Sequence, residues 1–79
     1  MPANDLQPWL QQHRWDVGAR IRRLRTQRDI SQVALADLAG LDHKSISRYE
    51  NGRRNLGLDE AAMIARALGV PTWRLLRDD

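Results

Sequence analysis

The chain has 79 residues, thirteen Lys plus Arg against ten Asp plus Glu for a formal charge of +3, and no cysteine. That length holds one domain with one core, burying about 60–65 % of the surface its unfolded form exposes, too little to house a catalytic cleft beside a cofactor fold. The missing cysteines exclude disulfides, thiolate zinc sites and a nucleophilic thiol, His13 and His43 alone do not make a metal site, and no cofactor is expected.

No phenylalanine, few β-branched residues and many Ala, Leu, Arg and Gln predict an all-helical chain. No apolar run approaches the roughly 18 residues of a membrane span, and the N-terminus lacks a signal-peptide layout, so the expected location is the cytoplasm. Residues 1–15 read as an N-terminal arm and residues 16–79 as the folded domain. Pro2 and Pro8 restrict the arm, which is either partly disordered or a short helix opened at Pro8 and carrying Trp9, Leu10 and His13. Trp15 closes the arm.

Asp16 is then expected to cap a helix from about Val17 to Arg28. Val17, Ile21 and Leu24 form its apolar stripe, Arg20, Arg22 and Arg23 point away, and Arg25 lies at the stripe's edge. Ser31 caps a short helix that ends at Gly40, with Leu35 and Ala39 inward and Ala36 permitting close approach. Asp42 caps a third helix, which stops at Asn51-Gly52, a pair suited to a C-terminal cap. After the loop RRNLGL, Asp59 is expected to cap a fourth helix that Gly69 ends. Pro71 opens a last short helix, TWRLLRD.

Two short helices joined at a glycine make a helix-turn-helix. A helix fits the major groove of B-DNA, and the side chains that read it lie near its N-terminus and face outward. On the third helix Ile46 and Tyr49 turn inward, while His43, Lys44, Ser47 and Arg48 turn outward, all hydrogen-bonding types suited to base edges. Taken alone, the pattern also fits an ordinary amphipathic helix with a solvated face. Twelve of the thirteen basic residues are arginine, whose planar fork suits phosphate and guanine.

The pattern extends further. From Val17 to Leu76 the sequence resembles the phage-repressor (Cro/XRE-like) helix-turn-helix family, through RIRRLRTQRDISQVALADLAGLDHKSISRYENGRRN followed by LDEAAMIARALGVPTWRLL. The SQ-x-x-LA opening, the Gly40-Leu41 turn, SIS-R-x-ENG and the ALGV ending stand in the family's order. The resemblance implies a five-helix bundle whose second and third helices bind double-stranded DNA, with a recognition helix at about residues 43–51. It implies base contacts by His43, Lys44, Ser47 and Arg48. Gln32, Ser45, Asn51, Arg53 and Arg54 would contact phosphates, and Arg25 and Glu50 would form an internal salt bridge. Val33, Leu38 and Leu56 depart from the family's usual residues.

The implied function is a transcriptional regulator, read as a repressor that binds an inverted-repeat operator as a homodimer, with Leu56, Trp73 and Leu76 as dimer candidates. If the arm dimerises instead, Trp9 and Leu10 take that role. An antitoxin, a restriction-modification controller, and a protein-interaction module that has lost DNA binding share the fold. A protein partner such as a toxin stays open. An enzyme is not expected: Ser31, Ser45 and Ser47 have cap or surface roles, and His43 has no partnered carboxylate.

Overall fold

The computed structural model describes residues 7–77, with four α-helices and one 3-10 turn: α1 (Pro8–Gln27), α2 (Gln32–Ala39), α3 (His43–Glu50), α4 (Leu58–Leu68) and the turn Thr72–Leu75. Residues 1–6 of the expected arm, with Pro2, and the last two positions of the expected domain lie outside the described residues. The all-helical class holds among the described residues. The fifth α-helix does not: after Pro71 the chain makes a single turn, with Arg74 N–H on the Pro71 carbonyl (3.0 Å) and Leu76 N–H on that of Trp73 (2.9 Å).

The expected start of the first helix also moves. Pro8 occupies the opening turn of α1, where its missing N–H costs nothing, and no breaker follows before Gly18. Asp16, expected as a cap, is therefore interior, and its carboxylate accepts from Gln12 Nε2 one turn earlier (2.9 Å). Asp59 is likewise inside its helix, since α4 begins at Leu58 with Gly57 as the cap; Asp59 and Glu60 then sit in the first turn, where the helix dipole favours them.

Ser31 and Asp42 do cap α2 and α3. Ser31 Oγ accepts from Ala34 N–H (3.0 Å) and Asp42 Oδ1 from Ser45 N–H (2.7 Å), each filling one of the orphan donors of a helix start. The turn between them rests on Gly40, whose φ of +75° is left-handed backbone that costs a side-chain-bearing residue strain. A 2.9 Å bond from Leu41 N–H to the Ala36 carbonyl closes it. The exits of α3 and α4 repeat that bond, from Arg53 to Arg48 (2.9 Å) and from Val70 to Ala65 (3.0 Å).

The core draws on every element: Val17, Ile21 and Leu24 of α1, Leu35, Ala36 and Ala39 of α2, Ile46 and Tyr49 of α3, Ala61, Ile64, Ala65 and Leu68 of α4, and Leu75. Burying each large aliphatic side chain here contributes about 1.5–3 kcal/mol. Between α1 and α3 the approach is so close that a Cβ on Gly18 would lie 2.6 Å from the Glu50 carbonyl oxygen. Arg28, beyond the end of α1, ties the far side by donating to the carbonyls of Leu68 (2.6 Å) and Leu24 (2.9 Å). Among the described residues no helix is long and apolar enough to cross a membrane.

Candidate nucleic-acid interface

Ile46 is fully buried and Tyr49 nearly so, which fixes the rotation of α3 about its axis and leaves its opposite face to solvent. On that face His43, Lys44 and Arg48 are exposed and Ser47 is half-buried. With Gln32, Asn51 and Arg53 they line one open, shallow cleft along the outside of the helix. The structure thus brings together all four expected base-reading residues and three of the five expected phosphate contacts.

Ser45 and Arg54 stand apart from them. Ser45 is buried, and its hydroxyl accepts from Arg54 Nη1 at 2.7 Å. Arg54 also lies over the Tyr49 ring, 5.4 Å from its centroid, and lines an apolar groove instead of the cleft along α3. Ser45 lies about 40° from Tyr49 around α3, at the border of the buried face, so its hydroxyl meets the protein.

Arg25 and Glu50 meet at the border of the cleft. Arg25 donates Nε to Glu50 Oε2 (2.6 Å) and Nη2 to Oε1 (2.9 Å), a two-pronged pair, while Nη1 goes to the Ile30 carbonyl (2.9 Å). The sequence did not signal two further donors to the same carboxylate, Gln32 Nε2 (3.1 Å) and Arg22 Nε (3.3 Å). Arg22 also reaches Asn51 Oδ1 (3.3 Å), so the network runs from α1 and α2 to the exit of the recognition helix. Burial pushes the Glu50 carboxyl up, but the bonds from Arg25 and Gln32, the Arg25 charge and the Arg22 bond outweigh it and hold the carboxyl below its usual range. The same bond to Glu50 raises Arg25 against its own desolvation. Asp42, too, is held low, chiefly by the Ser45 backbone N–H it accepts.

The expected dimer candidates lie on another side. Trp73 and Leu76 are exposed, and Leu56 is half-buried against the core. Arg74 and Arg77 each lie over the Trp73 ring, at 5.9 and 5.3 Å from its centroid. Leu56 and Leu76 line an apolar groove with Leu10, Val17, Leu58 and Ala61. Leu58, which the sequence did not single out, is the most exposed large apolar side chain described, at 87 %. Val33 and Leu38 are also exposed, without cover from α1.

A family model described as helix-turn-helix matches residues 21–72. An uncharacterized transcriptional regulator in the ATPase CF(0) region of Rhodospirillum rubrum is 38 % identical over 55 residues, covering 70 % of this chain and 51 % of that protein. The chain spans about half the length of the curated relatives it matches first. The crystal structure of the restriction-modification controller protein C.AhdI from Aeromonas hydrophila superposes with a TM-score of 0.77 at 37 % identity, over 78 % of this chain and 94 % of that one. The P22 c2 repressor, solved in complex with a synthetic operator, superposes with a TM-score of 0.74 at 28 % identity, over 80 % of this chain and 96 % of that one.

Proposed function

The chain belongs to the phage-repressor (Cro/XRE-like) helix-turn-helix family of DNA-binding transcription regulators, and we propose that it is a repressor that binds an inverted-repeat operator as a homodimer. The observation that carries this reading is the outer face of α3. His43, Lys44, Ser47 and Arg48 sit together on a helix capped by Asp42 and anchored by Ile46, and the side chains of Lys44 and Arg48 have no hydrogen-bond or ion-pair partner among the described residues. Lys44 in the first turn and Arg48 one turn deeper read the acceptor pair of guanine, with His43 and Ser47 beside them. Gln32, Asn51 and Arg53 hold phosphates on either side; Gln32 spends one amide N–H on Glu50 and keeps the other.

Three or four side chains on one helix reach only a few base pairs, and a twofold pair doubles that contact. Leu56 and Leu76, which line the groove with Leu58, and the exposed Trp73 are the apolar surface for such a pair. Selection of bound duplexes from a random pool tests the reading. Inverted half-sites about one helical turn apart are expected, each with at least one G·C pair, and Lys44→Ala and Arg48→Ala should each relax preference at one position per half-site, by about 1–3 kcal/mol. Unchanged sequence preference with only a general loss of affinity would assign α3 to backbone contact instead.

The chain covers 94 % of the controller C.AhdI, which favours a second reading as a restriction-modification controller. A promoter fusion carrying the selected site separates the two: repression by the chain at every concentration supports the first, and activation supports the second.

A further inference from the structure

The N-terminal half of α1 lies outside the matched segment 21–72, and nothing in the function proposed above uses it. It is nevertheless built against the exit of the recognition helix. Gln11 Nε2 donates to the Gly52 carbonyl at 3.0 Å, and the Trp15 indole lies on Gly52, where a Cβ would collide with it. These two contacts open a second cleft, lined by Gln11, Arg14, Trp15, Asn51, Gly52 and Arg53. Asn51 and Arg53 also line the cleft in front of α3, so the two form one continuous surface.

Its charge is unspent. Neither the Arg14 nor the Arg53 side chain has an ion pair or hydrogen bond among the described residues, and Arg14 Nε is buried without a partner. Trp15 remains half exposed, with its indole N–H likewise unpartnered. Two arginines and a neutral donor that line one cleft beside a base-reading helix match a phosphodiester, whose diffuse negative charge and acceptor oxygens satisfy both kinds of group.

We infer that this cleft grips a phosphate of the DNA backbone beyond the bases read by α3, with Arg14 and Arg53 supplying charge and the Trp15 indole N–H a neutral donor. The inference rests on the DNA-binding reading above, and it makes the N-terminal half of α1 a part of the interface that reads no sequence.

The test compares the parent with Arg14→Gln, Arg14→Lys and Trp15→Phe on two duplexes carrying the selected site, one extended by several flanking base pairs and one trimmed to the half-sites. On the extended duplex, Arg14→Gln should lower the log–log salt slope by about 0.9, so that its deficit in affinity shrinks about 3.5-fold between 50 and 200 mM salt. Arg14→Lys should restore the parental slope, and Trp15→Phe should weaken binding with the slope unchanged. On the trimmed duplex, Arg14→Gln and parent should share one slope. Equal slopes for Arg14→Gln and parent on the extended duplex, with circular dichroism showing both folded, would overturn the inference and leave the base-reading proposal intact. A loss of slope equal on both duplexes would overturn the flanking position. A parent that binds no duplex would sink the DNA-binding reading itself, and this inference with it.

Discussion

Replacing Glu50 by alanine removes a carboxylate whose side chain is fully buried and which accepts four hydrogen bonds: two from Arg25 and one each from Arg22 and Gln32. The cost of the change lies in what remains. Arg22 is half exposed and retreats to water, so its loss is small. The Arg25 side chain is only 13 % exposed and keeps one bond, to Ile30, while two of its N–H groups lose their acceptor. Stranding a buried charge in this way costs 3–5 kcal/mol in general, and the retained Ile30 bond places this site at the lower end, about 3 kcal/mol. For a domain of this length that is a fall of about 12–24 °C in melting temperature, read by far-UV circular dichroism. Glu50→Gln keeps an acceptor oxygen and should cost about half as much. Arg25→Met combined with Glu50→Leu should recover most of the stability, because neither charge is then left alone. A loss below about 1 kcal/mol in Glu50→Ala, or a double variant no better than the single, would refute the account.

Three further outcomes are expected. Gly18→Ala should destabilise by about 2 kcal/mol or more despite alanine's better helix propensity, because its methyl meets the Glu50 carbonyl; a raised melting temperature would show that α1 and α3 are not in that contact. The depressed Glu50 carboxyl contributes stability that is fully present above its unfolded value of about 4.3 and is lost as pH falls through the lower folded value. The urea midpoint should therefore drop on acidification in the parent and drop less in Glu50→Gln, and parallel profiles would remove Glu50 as the cause. Trp73→Ala with Leu76→Asp should shift the molecule to monomer in sedimentation and weaken operator binding, while Lys44→Ala sediments as the parent does; a double variant that stays dimeric would move the interface elsewhere.

What could be read in advance was whatever is local in the chain. Ser31 and Asp42 cap their helices through backbone groups three residues away, and the spacing of Ile46 and Tyr49 alone sets which way Lys44 and Arg48 point. Asp16 carries the same chemistry as Asp42, yet it caps nothing. An uninterrupted run from Pro8, held to Gly52 by Gln11 and Trp15, keeps it in mid-helix, and those partners are 41 and about 37 positions away in the chain. Arg25 and Glu50 were legible as a pair through the family resemblance, which their places at the borders of apolar stripes support. Gln32 and Arg22 were not, since a polar side chain on a surface face carries no periodic mark of its partner. The resemblance assigns Ser45 to a phosphate, although helical spacing puts it beside Tyr49 at the border of the apolar face, where Arg54 covers it. The last helix is a single 3-10 turn, Thr72–Leu75, a difference of hydrogen-bond register that apolar spacing over so few residues does not resolve.

All four described helices end through the same short-range bond, spanning five residues in each case, between Ile30 and Arg25, Leu41 and Ala36, Arg53 and Arg48, and Val70 and Ala65. Those stops need nothing from distant parts of the chain. In the unfolded ensemble each helix already has a place to end, and what remains of the search is docking a few short rods. Proteins of such local connectivity refold in microseconds to milliseconds. Opening and closing then outrun most proteases, so survival of the molecule in a cell follows the equilibrium fraction unfolded and not the rate of unfolding. A substitution such as Glu50→Ala would accordingly lower the amount of the protein present as well as its melting point, by the factor through which it raises that fraction.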